Sequence, residues 1–129
     1  MNNLKDAVKR IVDISFDSFV NNDMEEACRV EPLEQVIDQV CQHMKEKHAQ
    51  RLQKGKCTIL NGYIFNDLIA DFERVADHCS NIAIVIVELT DNAMDVHAMT
   101  DMLQHEHQHH FETYFEEYAG MYLKPGKTA

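Results

Sequence analysis

The stretch that decides the fold is residues 66–83, NDLIADFERVADHCSNIA. A helix turns about 100° per residue, so Glu73 and Asp77 share one of its faces. Apolar residues recur every three or four positions on another face, which predicts a buried stripe. That predicted stripe consists of Ile64, Leu68, Phe72, Val75, Cys79, Ile82 and Ile86. The stretch therefore predicts a long amphipathic helix with a carboxylate face opposite its core side.

The same periodicity extends along most of the chain. It predicts helices over residues 3–20, 23–53, 58–90 and 96–123. Asn22, followed by Glu25, predicts the cap of the second helix, and Pro32 predicts a kink or a brief break within it. Short connections between long helices predict antiparallel neighbours. We therefore expect an all-α, up-and-down antiparallel bundle of three to four long helices, forming one domain over residues 1–129.

Composition excludes several classes of protein. The chain has 129 residues with 12 Lys and Arg against 22 Asp and Glu, a formal charge of −10. This balance argues against a nucleic-acid binder, which needs a basic surface, and against binding to anionic lipid. Four Gly and two Pro are too few for an all-β fold. The most apolar uncharged stretch, residues 79–87, is far shorter than a membrane helix, so we expect a cytoplasmic chain.

A second carboxylate pair lies on the second predicted helix. Glu34 and Asp38 repeat the ExxxD spacing of Glu73 and Asp77, and Glu31 lies one turn earlier. Two adjacent helices would each present hard oxygen ligands, which suit Fe(III), Mn, Mg or Ca, and less specifically Zn. The alternative is a solvated charged face held by salt bridges.

Residues 73–83, ERVADHCSNIA, resemble the ERxxDHxxNIA signature of the PhoU family. Residues 30–38, 51–58, 62–67 and 77–82 resemble the PhoU-like C-terminal cytoplasmic domain of bacterial sodium/phosphate cotransporters, and the likeness extends over residues 20–122. Full PhoU proteins carry two three-helix repeats, whereas this chain holds one repeat and a further helix.

The resemblance implies a regulatory rather than enzymatic role in the control of phosphate uptake, at the inner face of the membrane. It implies a bound metal ion, which could be Fe, Zn, Mn or Mg. It also implies a partner, either a membrane transporter domain or a second copy of the chain. The implied ligands are Glu34, Asp38, Glu73 and Asp77, with Glu31 and Asn81 as weaker candidates.

Two other functions stay open. His105, Glu106 and His109 spell HExxH, which on a helix can hold Zn beside a general base. A hydrolase of that type also needs a third ligand and a substrate-aligning strand, and the sequence predicts no strand. The other alternative is a structural dimerisation module whose carboxylates bind nothing.

Overall fold

The computed structural model describes the backbone of residues 2–93 and 97–123, and the side chains of residues 2–89 and 110–123. Four helices follow one another: α1 (Asn2–Asn21), α2 (Met24–Gln53), α3 (Ile59–Ala93) and α4 (His97–Tyr122). No strand occurs in these described residues. The predicted all-α bundle is thus confirmed, and the four helices lie close to the predicted ranges.

The turn between α1 and α2 differs from the prediction. Asn22 adopts the left-handed conformation, with φ of 51°, in which Asn is often found after the end of a helix. Asp23 instead has the extended backbone of an N-cap, and its carboxylate accepts hydrogen bonds from the backbone N–H of Glu25 and Glu26 at 3.0 and 3.3 Å. The predicted cap at Asn22 is wrong because that residue already ends α1.

The predicted break at Pro32 is also wrong, because α2 continues through this residue. Pro32 is fully buried, beside the equally buried Leu33. Burial of the apolar ring offsets part of the cost of the backbone hydrogen bond that proline cannot donate. The helix ends as expected at Gln53, with Lys54 as its C-cap and Gly55, whose φ is 70°, directly after it.

The core is organised around α2, which packs against the other three helices, while α1 also packs against α3. Leu33, Ile37 and Val40 of α2 are buried, as their spacing predicts. Helix α4 joins through the buried Tyr114 and Tyr118. The remaining core side chains are Leu4, Ala7, Val8, Ile11, Ile14, Ala27, Val30, Val36, Cys41, Ile69, Ala76, Cys79, Ala83 and Ile86.

The buried face of α3 is rotated from the predicted stripe. Cys79 and Ile86 are buried as predicted, but the other buried apolar residues are Ile69, Ala76 and Ala83. The small alanines permit close helix approach. The predicted core residues Ile64, Leu68, Val75 and Ile82 are instead exposed. Since α3 packs against both α1 and α2, the carboxylates of Glu73 and Asp77 lie at the edge of the contact between α2 and α3, rather than opposite the core.

Gly62 lies where α3 passes the end of α2, and we expect Gly62→Ala to destabilise the fold. An added Cβ would come within 3.0 Å of Nε2 of His48, a buried ring stacked on Phe65 with centroids 4.7 Å apart. Crowding of a packed site costs about 1–3 kcal/mol. This cost outweighs the gain in helix propensity of about 1 kcal/mol when alanine replaces glycine. Urea unfolding should show a net loss of about 1 kcal/mol.

Gly120 in α4 is the matched control, because a Cβ there meets nothing within 4 Å. Gly120→Ala should therefore stabilise the chain by about 0.5–1 kcal/mol. Equal stabilisation by both substitutions would contradict the close packing of His48 on Gly62.

Candidate functional site

The register between α2 and α3 brings carboxylates of the two helices opposite each other. The Ser80 hydroxyl donates a hydrogen bond to Oε2 of Glu31 at 2.6 Å. Because the helices are antiparallel, the next positions facing each other are Glu34 with Asp77, one turn further along. After another turn, Asp38 faces Glu73. We call these five carboxylates, those of Glu31, Glu34, Asp38, Glu73 and Asp77, the acidic cluster.

The electrostatics of Glu34 show that the acidic cluster is shared by both helices. Burial, and then the charge of Asp38, raises the pKa of Glu34 to about 7 from 4.5. The charges of Glu31 and Asp77 act in the same direction, and Asp77 belongs to the facing helix. In its protonated form Glu34 hydrogen-bonds Asp38, one turn away. The cluster therefore retains a proton close to neutral pH.

Asp38 interacts with both carboxylates of α3. Burial raises its pKa, and the charges of Glu73 and Asp77 raise it further. The hydrogen bond with Glu34 and the charge of Lys45 lower it, but the net shift is upward. The predicted ligands Glu34, Asp38, Glu73 and Asp77 thus belong to one electrostatic unit.

Lys45 is the cation that offsets part of this charge. Its Nζ atom lies 2.7 Å from Oε1 of Glu73, and both side chains are partly exposed. The hydrogen bond to Glu73 raises the pKa of Lys45. Sequence reasoning missed Lys45, although it lies seven residues after Asp38 and hence on the same face of α2. It also missed Ser80, three residues after Asp77 on the same face of α3.

The donor chemistry of the acidic cluster suits a hard cation, because carboxylate oxygens are the ligands that such ions prefer. The side-chain positions are less favourable. Among the residues whose side chains the structure describes, no group of three or more His, Cys, Asp or Glu is arranged to hold a metal ion. Glu73 instead contacts Lys45, and Glu31 contacts Ser80. Metal binding would require some of these carboxylates to turn toward one point.

Two other predicted features lie elsewhere. Asn81, a weaker candidate ligand, lines a groove between α1 and α3 and not the acidic cluster. His105, Glu106 and His109 belong to α4, but their side chains lie outside the part of the chain that the structure describes.

The family is shown by the sequence match. Residues 1–86 match the PhoU domain, which is two-thirds of the 129-residue chain. The chain belongs to the PhoU family. The match takes in α1, α2 and α3 as far as Ile86, and so contains all five carboxylates of the acidic cluster. No curated protein and no solved structure gives a significant match. The PhoU family is regulatory and non-enzymatic, and membership points to a role in phosphate-transport regulation.

Proposed function

We propose that this PhoU domain controls phosphate uptake through a metal ion bound at the acidic cluster. The observation that carries the proposal is the meeting of α2 and α3 carboxylates, with Glu31 bonded to Ser80 at 2.6 Å and Glu73 to Lys45 at 2.7 Å. Burial, and then the charges of Asp38, Glu31 and Asp77, raise the pKa of Glu34 in this setting. Carboxylates kept close in this way favour either a proton or a cation. A divalent cation would neutralise more of the repulsion than the single ammonium of Lys45 does.

The ligands would come from Glu34, Asp38, Glu73 and Asp77, with Glu31 as a further donor. Their oxygen chemistry favours Mn, Mg or Fe, and Zn less specifically. The role of the ion would be to reverse the local charge, so that phosphate or an acidic partner surface could bind. Without a cation, the formal charge of −10 opposes direct phosphate binding.

We further propose that the domain acts as the cytoplasmic part of a sodium/phosphate cotransporter, with the membrane domain of that transporter as its partner. The support is the resemblance of residues 30–38, 51–58, 62–67 and 77–82 to that subgroup. Within the described residues, no helix combines the length and apolar character that a membrane span requires.

The test is a titration of the tag-free chain with Mn²⁺, in which electron paramagnetic resonance measures the concentration of the free ion. We expect saturable binding that falls at least tenfold when Glu73→Ala and Asp77→Ala are combined, because both α3 donors are lost. The control is Asp13→Ala with Asp17→Ala, which removes two carboxylates with the same four-residue spacing from the exposed side of α1. This variant should leave Mn²⁺ binding unchanged.

A third variant separates this proposal from the hydrolase alternative. His105→Ala with His109→Ala should leave Mn²⁺ binding unchanged if the acidic cluster is the site. Loss of binding in that variant alone would favour the HExxH site. Absence of binding in the unaltered chain would support a structural module and contradict the metal proposal.

A further inference from the structure

We infer that this chain binds a linear polyamine, of the size of spermidine, in a groove between α2, α3 and α4. The groove has a volume of about 310 Å³. Its lining includes Glu31 of α2, Ile84, Val87 and Glu88 of α3, and Phe111 of α4, together with small side chains of α2 and α3. We call it the three-helix groove. Only Glu31 belongs both to this groove and to the acidic cluster.

The two carboxylates of the three-helix groove lie at opposite ends of it. The Ser80 hydroxyl donates to Oε2 of Glu31 at 2.6 Å, so the Glu31 carboxylate lies beside Ser80 of α3. Glu88 follows Ser80 by eight residues, which corresponds to about 12 Å along the helix axis. The oxygen ligands of one hard metal ion lie within about 2.6 Å of it. These two carboxylates are therefore too far apart to share a single ion.

The walls between the two carboxylates are apolar. Ile84 and Val87 lie on the same face of α3 as Glu88, because steps of three and four residues return to one side of a helix. Phe111 adds an aromatic ring from α4, and aromatic faces attract ammonium groups. The groove thus offers negative charge at both ends and apolar contact along its length.

This order of charge selects the chemistry of the ligand. Among the residues whose side chains the structure describes, no Lys or Arg lines the three-helix groove. The formal charge of −10 also favours the approach of cations. A ligand with an ammonium group at each end and an aliphatic chain between them matches both the carboxylates and the walls. Spermidine, when extended, is long enough to reach both carboxylates.

A slender amine suits the three-helix groove better than a segment of a protein partner does. Ligand pockets typically have volumes of roughly 300–1,000 Å³, and this groove lies at the lower end of that range. A buried peptide backbone also needs hydrogen-bond partners. The walls are helices, whose backbone groups already bond within each helix, and the side chains between the two carboxylates are apolar.

The test is isothermal titration calorimetry at low salt, on protein freed of metal ions by dialysis against a chelator. The titrants are spermidine and two diamines, diaminooctane and diaminobutane, each with one amine at either end. We expect saturable binding of spermidine and of diaminooctane, which has about the same length. Diaminobutane is too short to reach both carboxylates. It should bind about fivefold more weakly than diaminooctane, which is the upper range for one exposed ion pair.

Glu88→Gln tests the end of the groove that lies outside the acidic cluster. This variant should weaken the binding of spermidine and diaminooctane about fivefold. It should change the binding of diaminobutane less than twofold, because the short diamine still reaches Glu31. Asp67→Asn is the control, because Asp67 is exposed on α3 and its replacement removes the same charge.

Ile84→Ala tests the apolar wall of the groove. Ile84 is 46% exposed, and shortening its side chain should weaken the binding of diaminooctane about threefold through lost apolar contact. Ile82→Ala is the matched control, because Ile82 is 41% exposed but lines the groove between α1 and α3. The control should leave diaminooctane binding unchanged.

Four results would overturn the inference. They are no saturable binding of spermidine, equal affinity for the two diamines, equal losses in Glu88→Gln and Asp67→Asn, and equal losses in Ile84→Ala and Ile82→Ala. Loss of spermidine binding on combining Glu73→Ala with Asp77→Ala, with Glu88→Gln unaffected, would instead place the amine in the acidic cluster. Binding of a peptide with two lysines, without binding of spermidine, would assign the groove to a protein partner. Both of these results also contradict the inference.

Discussion

Replacing Lys45 by methionine is expected to tighten Mn²⁺ binding about tenfold. In the structure Nζ of Lys45 lies 2.7 Å from Oε1 of Glu73, so an incoming cation must displace it or bind beside it. A partly exposed ion pair is worth about 0.2–1 kcal/mol, and removing the ammonium also removes its repulsion of the metal. Together these effects approach about 1.4 kcal/mol, a tenfold change in the dissociation constant.

Isothermal titration calorimetry at low salt measures this change directly. Lys54→Met is the control, because Lys54 is exposed at the end of α2 and its loss alters the net charge by the same amount. Equal tightening of Mn²⁺ binding in both variants would show that the change in net charge alone is responsible. An unchanged or weaker affinity in Lys45→Met would contradict a metal site that includes Glu73.

Replacing Glu34 by glutamine is expected to stabilise the metal-free chain at pH 8 and to have little effect near pH 4.5. The pKa of Glu34 in the folded chain is raised to about 7 from 4.5. Between these values the folded state holds a proton that the unfolded chain has released. The contribution of Glu34 to stability is therefore fully present below pH 4.5 and is lost as pH rises through 7.

The size of this effect follows from the shift. Each pKa unit corresponds to about 1.36 kcal/mol, and partial exposure of Glu34 reduces the total, so we expect roughly 1.5 kcal/mol at pH 8. Urea unfolding in the presence of a chelator measures it. Glu112→Gln on the exposed side of α4 is the control, and a gain at pH 8 equal to that of Glu34→Gln would show that net charge alone is responsible.

The helices were predictable because their signals are local. Three- and four-residue spacing identified the core positions Leu33, Ile37 and Val40 on α2, and Gly55 marked the end of that helix. The turn before α2 was harder, because Asn22 and Asp23 are both good caps. Only the backbone conformation decides between them, since the residue that ends α1 in the left-handed region cannot also cap α2.

The rotation of α3 could not be predicted from its own sequence. Ala76 and Ala83 are buried while Val75 and Ile82 are exposed, although Val75 and Ile82 are the more hydrophobic pair. Helix packing favours small residues where two helices approach closely. Which helices lie beside α3 is decided by the tertiary fold and cannot be read from the sequence of α3.

The acidic cluster was predictable in part. The repeated four-residue spacing placed two carboxylates on one face of each helix, but it could not show that the two faces meet. Their meeting depends on the register fixed by Ser80 with Glu31 and by His48 with Gly62. The role of Lys45 depends on the same register, because its long side chain reaches Glu73 across the helix contact.

The most direct test of the shared acidic cluster is a double-mutant cycle between Glu34→Gln and Asp77→Asn. The quantity measured is the free energy of unfolding of the metal-free chain at pH 8. Each single substitution should stabilise the chain, and the double variant should gain at least about 0.5 kcal/mol less than the sum, because both remove the same repulsion. Additivity within about 0.3 kcal/mol, as for distant sites, would contradict the convergence of α2 and α3 carboxylates.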